Sequence, residues 1–87
     1  MRRDAERAKP EPSIDRGPLR RNLDGRWEIF VSRGWPTHEV TSGDVVFVEV
    51  ERTWKLTRIE FDQATRQYVS VDGYRLADGV LAALPTG

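Results

Sequence analysis

The stretch from residue 43 to 62 constrains the fold of this chain more than any other part of the sequence. Four valines and a phenylalanine fill the six positions from 45 to 50, a composition that suits a pleated strand better than a helix. Because side chains alternate across a strand, Val46, Val48 and Val50 share one face and are predicted to lie in the core. A polar connection and a return strand follow. The stretch therefore predicts a β-hairpin around which the rest of the chain packs.

The return strand has a phase problem that bears on the fold. Trp54 and Leu56 point to one face, whereas Ile59 and Phe61 point to the other. A regular strand cannot bury both pairs on one face. Either a bulge near residues 57–58 or a strand that passes from one sheet into another would reconcile the two pairs. Strongly bent strands are typical of small barrels, so the pattern favours a barrel.

Shorter strand patterns separated by turn residues lie on both sides of the hairpin. They predict further strands at 26–32, 67–71 and 74–76, a short edge strand at 37–40, and either a strand or a helical turn at 80–84. Trp27 is in phase with Ile29 and Val31 and is predicted to be a core residue. Five or six short antiparallel strands indicate an all-β fold, a small SH3-like barrel or roll.

The segment from 67 to 73 carries two more predictions. In the strand, Val69 and Val71 are predicted to point inward, with Tyr68 and Ser70 outward. After it, Asp72-Gly73 predicts a type I′ turn, because both central positions of that turn favour such residues.

Charge divides the chain into two parts. Residues 1–22 carry seven Arg or Lys and four Asp or Glu, a net charge of +3, whereas residues 23–87 have a net charge of −3. The first segment also holds three prolines and few large apolar side chains, which predicts a flexible basic arm. Residues 23–87 are predicted to form one small barrel domain. Such an arm either keeps the protein soluble or contacts an anionic partner.

No pattern of catalytic or ligand-binding side chains is present in the sequence. There is no cysteine and a single histidine, His38, whereas a hydrolytic triad needs a nucleophile, a base and an orienting group. Neither metal-ligand spacing nor a glycine-rich phosphate loop is found. We therefore expect no enzymatic activity, metal or cofactor. The sequence also lacks a membrane-length apolar run and a signal-peptide core, so we expect a cytoplasmic protein.

The central hairpin carries a family-like pattern. T-S-G-D at 41–44 precedes an apolar strand, and W-K-L-T-R-I-E at 54–60 precedes a strand with a tyrosine. Over residues 25–84 the chain thereby resembles a family of small bacterial, phage and mobile-element domains of the SH3-like barrel type. The resemblance implies the barrel fold, and it leaves function open because no activity is established for that family.

Aromatic residues outside the predicted core are the candidate contact residues. Small barrels use aromatic grooves to bind proline-rich peptides or to stack nucleotide bases. Trp54 has two interpretations, packing and recognition, whereas Trp35 precedes a proline in a predicted loop. The first hypothesis is a non-catalytic module that docks a protein partner, with these candidate contacts: Trp35, Trp54, Arg58, Tyr68 and Tyr74.

Two other functions remain as alternatives. The first is a nucleic-acid accessory protein whose basic arm contacts phosphates, with these candidates: Arg2, Arg3, Arg20 and Arg21. The acidic body counts against it. The second is an inhibitor encoded by a mobile element, for which the sequence offers no specific residue. An outward apolar face built from Phe30, Val45 and Phe47 would indicate a homodimer.

Overall fold

Seven antiparallel strands form one sheet in the computed structural model, which describes residues 10–31 and 38–86. In chain order the strands are β1 (Pro12–Arg21), β2 (Trp27–Ile29), β3 (His38–Val40), β4 (Val45–Val50), β5 (Thr53–Asp62), β6 (Gln67–Ser70) and β7 (Leu81–Pro85). Their order across the sheet is β3-β2-β1-β7-β4-β5-β6. The sheet curls into a half-barrel, which confirms the predicted all-β barrel or roll. Within the described ranges no helix is long and apolar enough to cross a bilayer.

The two ends of the sheet approach each other around a single core. The indole N–H of Trp27 in β2 donates to the backbone carbonyl of Tyr68 in β6, at 3.0 Å. Trp27 is 3% exposed, which confirms its predicted place in the core. The buried cluster draws on six of the seven strands and comprises Leu19, Trp27, Ile29, Val40, Val46, Val48, Ile59 and Ala82.

The central hairpin is β4 and β5, as predicted. The two strands pair in one unbroken register along the whole of β4, so the predicted bulge near residues 57–58 is wrong. β5 instead stays within the one sheet and pairs with β4 through Arg58 and with β6 from Ile59 onward, so the predicted passage into a second sheet is wrong too. The two pairs of the return strand lie on opposite faces and need no irregularity. Leu56 stays 41% exposed on the outside, and the polar Thr57 is buried beside it.

β1 overturns the predicted boundary between residues 22 and 23. Pro12–Arg21, assigned from sequence to a flexible arm, pairs with β2 on one side and with β7 on the other. Leu19, 2% exposed, adds an apolar side chain to the core. Neighbours on both sides supply partners for the backbone of β1, so the strand forms despite its few apolar residues. The rest of the predicted arm, residues 1–9, lies outside the described residues.

β6 has the opposite phase to the one predicted. Ser70 is buried and Tyr68 packs against the core, whereas Val71 is 48% exposed. The pairing of Ser70 with Ile59 is the reason, because it places the serine on the same face as a fully buried residue. The Ser70 hydroxyl lies 2.7 Å from that of Thr57, and a buried hydroxyl with a hydrogen-bond partner is tolerated in a core.

The turn after β6 is not the predicted type I′ turn centred on Asp72-Gly73. The N–H of Gly73 donates to the carbonyl of Ser70 at 3.0 Å, which makes Val71 and Asp72 the central residues. The Ser70 hydroxyl also accepts the N–H groups of Asp72 and Tyr74, at 3.2 and 3.4 Å. The chain therefore curls around Ser70, and the predicted strand at 74–76 does not form.

The last strand lies in the interior of the sheet. The segment predicted as a strand or a helical turn is β7, and it lies between β1 and β4 rather than at an edge. The predicted short edge strand is confirmed as β3, His38–Val40, at one end of the sheet. The sheet gains β1 and has no strand at 74–76, and it contains seven strands where five or six were predicted.

The β4–β5 turn should be improvable without any change to the core. Its two central residues, Glu51 and Arg52, both have positive φ, 52° and 67°, as a type I′ turn requires. Side chains other than glycine adopt that region at a cost of about 1–2 kcal/mol each. We therefore expect Glu51→Asn with Arg52→Gly to raise the free energy of unfolding by about 1–2 kcal/mol, measured by urea denaturation. An unchanged or lowered value would contradict the turn geometry.

Candidate partner-binding surface

The face of the sheet opposite the core carries the candidate functional residues. Because Val46 and Val48 point inward, the residues that alternate with them in β4 point outward. Pairing aligns this outer face across strands, with Phe47 opposite Leu56 on one side and Ala83 on the other. Half-exposed apolar or aromatic side chains surround that row. We call this set the outer patch: Phe30, Val45, Trp54, Leu56 and Leu81.

Two residues on the outer face are buried rather than exposed. Phe47 is 7% and Ala83 is 0% exposed, so Phe47 lies on the predicted outward face with Phe30 and Val45 but is covered there. The guanidinium carbon of Arg16 in β1 lies 5.3 Å from the ring centroid of Trp54 in β5. β7 and β4 lie between those two strands, so this contact crosses above Phe47 and Ala83. The outer patch therefore surrounds two apolar residues, Phe47 and Ala83, that are shielded from solvent.

Backbone groups of β1 hold Arg16 in place. Its Nε donates to the carbonyl of Ser13 at 2.6 Å and its Nη2 to the carbonyl of Pro12 at 3.3 Å. Both acceptors lie where the register of β1 against β7 shifts, between Pro12 and Arg16. A guanidinium fixed in this way can stack on an aromatic ring with little further loss of side-chain freedom.

A second cation stacks on a ring of the outer patch. The guanidinium carbon of Arg20 lies 4.9 Å from the ring centroid of Phe30. Arg20 is exposed, and its cross-strand partner is Glu28. Among the described residues it forms no salt bridge, because the Glu28 carboxylate accepts a hydrogen bond from the Asn22 amide instead, at 3.0 Å.

Carboxylates on the border of the outer face already have partners. The Asn22 amide bridges Glu28 and Glu39, with the second hydrogen bond at 2.8 Å. The Nη1 of Arg26 lies 3.8 Å from the Oε1 of Glu39. The neighbouring Tyr68 side chain, followed by the charge of Glu39, raises the pKa of the Arg26 guanidinium. Glu28 and Glu39 are therefore both engaged at this border.

The sequence-predicted partner contacts do not form one groove. Trp54 lies on the outer face beneath Arg16. Arg58 lies on the same face of β5, on the other side of Leu56, with its Nε 2.7 Å from the Glu60 carboxylate. Tyr68 and Tyr74 instead pack against the core. Trp35 lies outside the described residues. Of the predicted contacts within the described residues, Trp54 and Arg58 therefore share the outer face, whereas Tyr68 and Tyr74 do not.

The sequence-predicted nucleic-acid contacts are also divided. Arg20 lies on the outer face, whereas Arg21 stacks on the core residue Trp27, with 4.7 Å from its guanidinium carbon to the ring centroid. Arg2 and Arg3 lie outside the described residues. Arg21 borders a shallow cavity of about 380 Å³ at the end of the barrel, lined by Arg21, Trp27, Leu76, Ala77 and Asp78.

Several residues of this surface could not be found from the sequence. Leu56 and Leu81 read as ordinary strand residues, and Arg16 fell within the predicted arm. Their proximity depends on β7 lying between β1 and β4, which no local pattern specifies.

No protein-family model matches this chain, and no curated protein or solved structure does either.

Proposed function

We propose that this chain is a non-catalytic binding module that docks a protein partner through the outer patch. One observation carries the proposal: Phe30, Val45, Leu56 and Leu81, all outside the core, are each 40% or 41% exposed. Pro18 pairs with Leu81, and Phe47 pairs with Leu56 and Ala83, so the exposed side chains lie on one face around a buried apolar row. Exposed large apolar side chains grouped on one face with charged neighbours are typical of a protein-binding site.

The charged groups beside the patch also support binding rather than catalysis. Arg16 and Arg20 stack on rings of the patch. Guanidinium groups stay protonated in proteins, so they recognise charge and do not exchange protons with a substrate. Aromatic residues and arginine are the residue types most enriched at the centres of protein interfaces.

A nucleic-acid partner has less support. Arg20 and Arg21 lie on opposite faces of β1 and do not form one track for a phosphate backbone. Glu28, Glu49 and Glu60 lie on the same face as Arg20, and their carboxylates would repel a chain of phosphates. The protein partner is therefore the proposal we carry forward.

The outer patch can be tested by charge insertion. Leu56→Asp places a carboxylate at its centre, and we expect capture of a specific protein from native lysate to fall at least tenfold, since an interface hot spot contributes about 2 kcal/mol or more. The matched control is Leu23→Asp, because Leu23 is also an exposed leucine but lies in the turn that joins β1 to β2 and is not part of the outer patch. Quantitative mass spectrometry compares the proteins captured by the three chains.

Loss of the same captured protein with both variants would indicate a general effect of the added charge. Capture that is unaffected by Leu56→Asp would contradict docking through the outer patch. Circular dichroism of each variant checks that the β-sheet is retained.

A further inference from the structure

We infer that the Arg20–Phe30 pair, at the β2 side of the outer patch, binds a carboxylate side chain of the protein partner. The inference rests on the proposed function and adds the chemistry of the partner. It predicts a docking segment in which an acidic residue lies next to an apolar one, the first against Arg20 and the second against the patch.

Arg20 has hydrogen-bond donors that no described residue uses. Its guanidinium lies 4.9 Å from the Phe30 ring centroid, and no described residue accepts a hydrogen bond from it. A guanidinium that stacks through its face keeps the N–H donors of its edge available. Those donors match the two oxygens of a carboxylate, which is the strongest ion-pair geometry in proteins.

Arg20 differs in this respect from the other arginines of the outer face. Arg16 already donates to two backbone carbonyls, and Arg58 is paired with Glu60. The carboxylate nearest in the pairing register, that of Glu28, is engaged by Asn22. Arg20 is therefore the arginine of the outer face that has neither a hydrogen-bond acceptor nor a salt-bridge partner among the described residues.

A single carboxylate fits this surface better than a chain of phosphates. Glu28 and Glu39 lie in the same cross-strand row as Arg20. Their negative charges limit the attractive region to the neighbourhood of one guanidinium, whereas a nucleic acid needs several cations in line. One acidic side chain approaching from the Phe30 side avoids both glutamates.

Peptide selection tests the inference while the partner is still unidentified. Random dodecapeptides displayed on phage are selected against the full chain at physiological salt, and the affinities of the selected peptides are measured by fluorescence polarisation. We expect peptides with Asp or Glu next to an apolar residue. Arg20→Met, which keeps a long side chain over Phe30, should weaken them about tenfold to a hundredfold.

Two control variants and one control ligand accompany the peptide affinity measurements. Arg75→Met removes an exposed arginine from the segment after Gly73 and should leave the affinities unchanged. Arg20→Lys restores the charge without the planar donors and should recover part of the affinity. A thymidine oligonucleotide is measured in parallel with each chain, and we expect it not to bind at this salt concentration.

The possible failures are distinct. Peptides that require Leu56 but bind wild type and Arg20→Met equally would overturn the carboxylate site and keep the proposed function. Peptides indifferent to Leu56→Asp, or no selected peptides at all, would contradict the proposed function itself. Oligonucleotide binding that survives physiological salt and depends on Arg20 would assign the pair to phosphate recognition and overturn the inference.

Discussion

Replacing Gly17 with alanine is expected to lower the free energy of unfolding by about 3 kcal/mol, at the upper end of the usual cost of overpacking. A Cβ at this position would lie 2.1 Å from the carbonyl oxygen and 2.9 Å from the carbonyl carbon of Phe30. Both atoms belong to the backbone, so no side-chain rotation relieves the clash. For a domain of this size the loss corresponds to a melting temperature lower by about 12–24 °C, measurable by calorimetry.

Gly25→Ala is the control for this prediction. Gly25 has a φ of 82°, and no other group lies within 4 Å of the point that a Cβ would occupy. Alanine there therefore adds left-handed backbone strain of about 1–2 kcal/mol and no clash. If Gly17→Ala were no more destabilising than Gly25→Ala, the close approach of β1 to Phe30 would be contradicted.

The second large effect is expected at the buried hydroxyl pair of β5 and β6. Thr57 donates to the Asp72 carboxylate at 2.7 Å and lies 2.7 Å from the Ser70 hydroxyl. Because its one proton goes to Asp72, the hydrogen between the two hydroxyls comes from Ser70. Thr57→Val keeps the shape, removes both bonds and leaves the buried Ser70 hydroxyl without its acceptor. We expect a loss of about 2–3 kcal/mol, measured by urea denaturation.

Thr53→Val provides the matched control, because Thr53 lies in the same strand but is exposed. Its effect should stay within about 0.5 kcal/mol. Adding Ser70→Ala to Thr57→Val should cost less than the sum of the two single changes, since the orphaned hydroxyl is then gone. Additive effects would contradict a shared network.

The central part of the fold could be predicted from local patterns. The valine-rich strand and the phase of Trp27 with Ile29 depend only on side-chain alternation, and both predictions are confirmed. The hairpin has the predicted position, although Glu51 and Arg52 occupy a turn geometry for which neither is a preferred residue. Here pairing of the flanking strands overrides the turn preference.

β1 shows where local patterns fail. Its prolines and charges are those of a flexible segment. Pro18 in β1 nevertheless pairs with the residue that follows β2, because the Phe30 N–H donates to the Pro18 carbonyl at 2.9 Å. The neighbouring Gly17 allows the chain of Phe30 to pass close by. Both residues suit a strand with a tight neighbour, but only the tertiary pairing makes that visible.

The inverted phase of β6 has a similar cause. By hydropathy Val71 should be buried and Ser70 exposed, and the structure has the reverse. The hydrogen bonds that Ser70 makes to Thr57 and to the following turn compensate for its burial. Such partners come from a strand distant in sequence, so no reading of residues 67–71 alone could find them.

The candidate site was predictable only in kind. An aromatic and charged binding face was expected, and Trp54 and Arg58 were among its predicted residues. Tyr68 and Tyr74 were placed there by the inverted phase and by a strand that does not form. Leu56, Leu81 and Arg16 were missed because their proximity depends on the insertion of β7 between β1 and β4.

Site-specific photo-cross-linking in cells that express the protein natively tests the central claim most directly. A benzophenone amino acid is introduced at Leu56, in the outer patch, or at Leu23, in the turn between β1 and β2, and the adducts are identified after irradiation. Docking through the outer patch predicts a defined protein adduct from position 56 that position 23 does not give. The same adducts from both positions, or none from position 56, would contradict docking through this surface.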